Sequence, residues 1–231
     1  MRTYWKASLS PAYSFFLSLV LLVGYEGLMR LTGGELNDRN LIDQWLTRFL
    51  SWAAPYEWMI SLAVALLGLA YVYGIRRERI ELTEWVFIVM VAEAAAWAFL
   101  LYKGLPLLTS RFQSAISAQL AWLTSELWRS IAHCLGAGFY EELFFRVLLV
   151  EGLLMFFTGL RYRKAKAPHL MGAWILSAAL FSAAHFFHED ITGYAFLYRF
   201  IFGLLMSGLY ILRGFGITAW THALYDIYVI A

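Results

Sequence analysis

Three short stretches set ionisable side chains at helical spacing inside sequence that is otherwise apolar. The first, GFYEELFFR (Gly138 to Arg146), holds the adjacent carboxylates Glu141 and Glu142 and the guanidinium of Arg146. The second, FSAAHFFHED, sets Phe181 and His185 four residues apart, and the third, WTHALYDIYV, does the same for His222 and Asp226. Residues four apart share a helix face, so Glu142 and Arg146 are close enough to pair. Glu141 is rotated from Glu142 by about 100° and has no partner at helical spacing, so it needs one from another helix. A carboxylate, two imidazoles and a further carboxylate that converge in a water-filled cavity can deprotonate water and bind an oxyanion, which is hydrolase chemistry.

The elements that must position these groups are membrane helices. Of the 231 residues, 61% are hydrophobic and 15% charged, against roughly 25% charged in soluble domains. With a mean hydropathy of +0.64, that excess of apolar residues is too large for one soluble core. It fits lipid-facing helices with aromatic residues at the interfaces. A bilayer core needs about 20 apolar residues per helix, and about seven stretches satisfy this. They run from Pro11 to Met29, Tyr56 to Ile75, Glu84 to Leu108, Ile131 to Leu160, Leu170 to Phe187, Tyr194 to Leu212 and Gly214 to the C-terminus. One or two interfacial amphipathic helices join them: LIDQWLTRFL within Thr32 to Pro55, and a second over Arg111 to Ser130. The fold class is therefore all-α, a polytopic membrane helix bundle, and residues 1–231 form a single membrane domain.

An ionisable residue in mid-membrane costs several kcal/mol unless it is paired or wetted, so the three stretches point to function. The near-neutral charge of +2, with basic residues in short clusters between apolar runs, excludes a nucleic-acid partner. The single cysteine, Cys134, excludes an intrachain disulfide and a cysteine-rich metal site. Arg2 and Lys6 precede a long apolar run that contains Glu26 and has no small-residue cleavage site, so this run is the first membrane helix. Arg76, Arg77 and Arg79 follow the second span, and Arg161, Arg163, Lys164 and Lys166 follow the fourth. By the positive-inside rule both loops and the N-terminus are cytoplasmic, in a cell (inner) membrane, and the site is biased toward the outer leaflet.

EELFFR resembles the EExxxR motif, FSAAH the FxxxH motif and HALYD the HxxxN/D motif of the CPBP family, the CAAX proteases and bacteriocin-processing enzymes also called Abi. Order and placement on successive late helices match as well. The resemblance covers about residues 130 to 231 as a CPBP-like catalytic core, while residues 1–129 match no motif and read as variable N-terminal helices. It implies a glutamate intramembrane endopeptidase related to the Ras-converting CAAX endopeptidase, with no cofactor, no metal and no covalent intermediate. Its substrate would be a membrane-associated peptide or protein, with a C-terminal tail or sorting signal as one form.

Carried over by motif, Glu141 would be the general base and His185 would help position the water. His222 and Asp226 would sit at the oxyanion, and Glu142 would complete the catalytic set with Arg146 and Phe181 in support. Ras-converting members have Asn where this chain has Asp226, and an ionised carboxylate only accepts hydrogen bonds. Either Asp226 is protonated or it holds and charges His222, which then donates alone.

Alternatives stay open at this point. Glu141, His185 and His222 could ligate zinc as a metalloprotease, although no HExxH is present. His185 and His188 could share a metal. The same polar groups could serve a non-enzymatic immunity or assembly protein, or a proton-coupled transporter. Glu26 is expected to pair with Arg30 on its own helix, Glu93 to line the cavity or bond to another helix, and Gly203, Ser207 and Gly208 to allow close packing.

Overall fold

The computed structural model describes residues 4–52, 56–75, 82–109, 124–159, 166–187 and 192–230, and among these every regular element is helical. A short helix α1 (Tyr4–Ser8) precedes α2 (Pro11–Leu31), which starts with Pro11, a residue whose fixed φ suits a first helical turn. A 3₁₀ turn (Leu36–Asp38) leads into α3 (Leu41–Phe49). Asn40 caps α3, its side chain accepting from the Ile42 amide. This is the first interfacial helix expected from the sequence. Then come α4 (Trp58–Ala70), prolonged by a π turn (Tyr71–Ile75), and α5 (Glu84–Thr109).

One helical run next passes from α6 (Thr124–Gly136) through π-wound segments (Ala137–Glu141 and Leu143–Val150) into α7 (Glu151–Thr158). Gly159, with φ +63°, ends it. The last elements are α8 (Ala167–Ala184), a 3₁₀ turn (His185–Phe187), α9 (Gly193–Arg213) and α10 (Phe215–Ile230). Thr192 caps α9, and Gly214, with φ +76°, turns the chain sharply into α10.

Helices α2, α5, α8 and α9 are long and apolar enough to cross a membrane by length and composition alone. The other three expected spans are also helical. The second is the shorter α4 with its π turn, the fourth changes winding along its length, and the last is the 16 residues of α10. Of the second expected interfacial helix, residues 111–123 lie outside the described residues, and 124–130 belong to α6.

The bundle has its polarity reversed relative to a soluble protein. Leu67, Phe99, Leu107 and Phe156 are exposed on its flanks, whereas Glu142 and Arg146 are fully buried. Lipid tails cover such flanks, and burial of ions is tolerated only with partners nearby. The chain is an integral membrane protein. Helix α10 runs at the centre, packed on α2, α5, α6, α9 and the first π segment. Close approach there requires glycine: a Cβ on Gly138 would lie 2.5 Å from the Ala219 carbonyl, and one on Gly216 would lie 2.8 Å from Ser14 Cα. Gly203 and Gly208 likewise let α9 meet Ala178 and Trp174 of α8, as expected from their small size.

Candidate active site

Glu141 and Glu142 sit where the winding of their helix changes, and their side chains go to different places. Glu141 lines a cavity of about 560 Å³ whose wall also includes His185 at the end of α8, Asp226 on α10, and Arg39 and Asn40 at the start of α3. Glu142 is 0% exposed and points into the interior, where it meets Arg146 one turn on. Of the groups singled out in the sequence, Glu141, His185 and Asp226 therefore reach the cavity, while Glu142, Arg146 and His222 stand behind it.

The geometry links these two layers. Glu141 Oε2 lies 3.8 Å from His185 Nε2, beyond direct hydrogen-bond distance. The other nitrogen of that ring, Nδ1, is 2.9 Å from the Phe181 carbonyl, a contact that needs a hydrogen on Nδ1 and so leaves Nε2 facing Glu141. His222 Nδ1 is 2.7 Å from Glu142 Oε1, and its Nε2 is 3.5 Å from Asp226 Oδ2. Arg146 Nε is 3.1 Å from Glu142 Oε2, an ion pair without hydrogen-bond alignment. The guanidinium also lies over the Phe181 ring, 4.5 Å from its centre. Such stacking favours a cation over an aromatic face. Phe181 thus touches Arg146 on one side and the His185 ring, at 4.8 Å, on another.

Sequence reasoning missed Asn40, whose Nδ2 donates to Glu141 Oε1 at 2.8 Å. This is one of the interhelical partners that Glu141 was expected to need, and it comes from the unmatched half of the chain. The polar run Asn37 to Asn40 was visible, but nothing in it pointed to a helix 101 positions away.

Other charged residues settle away from the cavity chemistry. Glu26 was expected to pair with Arg30. Instead it meets Arg39 and accepts from Ser61, because the turn after α2 brings the Arg39 guanidinium onto it, while Arg30 lies over the Trp58 ring. Glu93 bonds to other helices: Arg213 donates to both its oxygens, at 2.6 and 2.8 Å, and Tyr4 donates at 2.5 Å. Cys134 is a buried, free thiol in the cavity wall.

Among the described residues, no three His, Cys, Asp or Glu side chains are grouped to hold a metal ion. His222 turns its two nitrogens to Glu142 and Asp226 rather than toward Glu141 and His185. His188 lies outside the described residues.

A family model described as Rce1-like, type II CAAX prenyl endopeptidase Rce1-like, matches residues 120–228. No curated protein and no solved structure matches the chain.

Proposed function

We propose that this chain, whose residues 120–228 match the model described as Rce1-like, type II CAAX prenyl endopeptidase, is an intramembrane endopeptidase in which Glu141 activates water directly against a peptide bond. The single observation that carries this reading is the Glu141 and His185 pair. A carboxylate oxygen and an imidazole nitrogen face each other across 3.8 Å in the wall of a cavity large enough for a peptide strand. One water lying beside that pair touches both.

In the proposed reaction the water oxygen attacks the scissile carbonyl carbon as its proton passes to Glu141. The carbonyl oxygen becomes an oxyanion and accepts a hydrogen bond from Nε2 of His222, which stands behind the cavity wall and is reached past Asp226. Glu142, which pairs with Arg146, accepts from Nδ1 and fixes the ring. Asp226 Oδ2, 3.5 Å from Nε2, holds the ring before substrate arrives and yields that hydrogen to the oxyanion. Collapse of the tetrahedral intermediate breaks the C–N bond, and the leaving amine takes the proton from Glu141. The products are a new carboxylate and a new amine, and no side chain is acylated.

The substrate class is a membrane-associated protein with a C-terminal tail. A prenylated CAAX-type tail is the first probe because of the family match. The test uses purified protein in detergent and a C-terminally prenylated fluorogenic peptide, with and without a strong chelator. Glu141→Gln keeps shape but cannot take the proton, so cleavage should fall to background while folding is preserved, and wild-type cleavage should survive the chelator. Cleavage by Glu141→Gln at the normal rate sinks the mechanism. Activity that is lost with the chelator and restored by zinc replaces it with the metalloprotease reading.

A further inference from the structure

The Glu141 carboxylate is gripped from the side away from His185, and we infer that Asn40 is a positioning residue that sets the general base. This inference rests on the reading of Glu141 as that base. A glutamate side chain has three rotatable bonds, so a base on a free arm would spend much of its time turned away from the water. Asn40 Nδ2 donates to Oε1 at 2.8 Å, which leaves Oε2 for His185 and the water.

The amide cannot turn round to offer its oxygen instead. Asn40 Oδ1 is committed to the Ile42 amide at 3.0 Å as the cap of α3, so the NH₂ end must face Glu141. One side chain thus starts a helix with its oxygen and aims a carboxylate with its nitrogen.

The backbone that carries Asn40 is itself fixed. Its amide donates to the Tyr25 hydroxyl at 3.0 Å, and that hydroxyl donates to Asp43 at 2.9 Å. The neighbouring Arg39 donates to the same Asp43 oxygen at 2.5 Å and pairs with Glu26, which ties the start of α3 to α2. On the facing helix, Gly136 leaves room for this arm: a Cβ there would lie 2.7 Å from the Tyr25 ring and 3.3 Å from Asn40 Cβ. Asn40 is only 7% exposed, so water competes little for the contact. These contacts give the first half of the chain a direct part in the reaction geometry.

Capping and positioning separate in two substitutions, since Ser and Asp both cap helices well. Asn40→Ser keeps a capping oxygen but cannot reach Glu141, and Asn40→Asp sets an acceptor against an acceptor. With the prenylated peptide as probe, Asn40→Ser should lower kcat roughly tenfold to a hundredfold, the scale set by misaligned catalytic groups. KM should stay within about twofold, because the lost contact matters in the transition state rather than in binding, while the protein stays folded and melts somewhat lower for want of one buried hydrogen bond. Asn40→Asp should be slower still. Wild-type kcat in Asn40→Ser overturns the inference.

A second measurement needs no turnover. Melting shifts of Asn40→Ser, Glu141→Ala and the double variant in detergent should be non-additive, as for residues in contact, and additive shifts overturn the inference independently. Glu141→Gln assayed in parallel separates the failures. If it is active, the base itself is wrong; if it is inactive beside a fully active Asn40→Ser, only the role of Asn40 falls.

Discussion

Arg146 occupies the most demanding position in the bundle, a guanidinium with no exposed surface and no hydrogen bond from its Nη1 or Nη2 among the described residues. What holds it there is the Glu142 carboxylate at 3.1 Å and the Phe181 ring beneath it. Removing the cation leaves Glu142 buried without its opposite charge, which costs about 3–5 kcal/mol. Arg146→Ala should therefore melt far below the wild type in detergent, with activity lost in proportion to the folded fraction. A variant that melts normally yet cleaves nothing would assign the arginine to the reaction. Pairs such as Glu142 with Arg146 and His222 with Asp226 were legible in the sequence because four residues on a helix make neighbours regardless of the rest of the fold. The contacts of Glu142 with His222 and of Glu141 with Asn40 were not, since they cross between helices that only packing brings together. Glu26 shows the limit of the local rule: Arg30 stood at the right spacing, and a nearer cation from the following turn displaced it.

At the scale of the element, the helix that carries both glutamates meets α10 through Gly138, and that contact sets where His222 stands. A methyl group on Gly138 would lie 2.5 Å from the Ala219 carbonyl and 2.7 Å from Ala223 Cβ, on either side of His222 in the sequence. Backbone cannot yield there as a flexible side chain can, so the two helices must separate. Overpacking of this kind costs about 1–3 kcal/mol. Gly138→Ala should lower both melting temperature and kcat, whereas Gly152→Ala, with nothing within 4 Å of the new carbon, should change neither. Equal behaviour of the two variants in melting and turnover would remove close helix contact as the reason for the glycine. The helices themselves were legible from apolar length, and α3 from its alternation of faces. The π winding across Ala137–Glu141 and Leu143–Val150 was not, because the run of apolar residues looks the same for either pitch. That winding changes the angular step per residue, so a 3.6-residue wheel loses register along the run.

On the scale of the whole molecule, the cavity lies at one end of the bundle, where α2 ends, α3 begins, α8 ends and α10 ends. The opposite end is marked by Tyr13 on the Thr83 amide and by Arg213 on Ser8. Helices α4 and α7 run out toward that opposite end, with Gly68 against Phe15 and Phe157 against Gly172, and the sequence continues from each into basic residues. By the positive-inside rule we predict that the cavity faces away from the cytoplasm. Ser51 and Lys166 are exposed at the cavity end and the opposite end respectively. In a Cys134→Ser background, Ser51→Cys should react with a membrane-impermeant thiol reagent on intact cells and Lys166→Cys should not. The reverse pattern would turn the enzyme over in the bilayer. One wall of this cavity, the segment from Asn37 to Gln44, lies outside the residues 120–228 that match the family. The same turn thus shapes the opening and, through Asn40, holds the carboxylate. Exchanging that turn between two such proteases should therefore change preference for a tail, and turnover should survive the exchange only where the asparagine is kept.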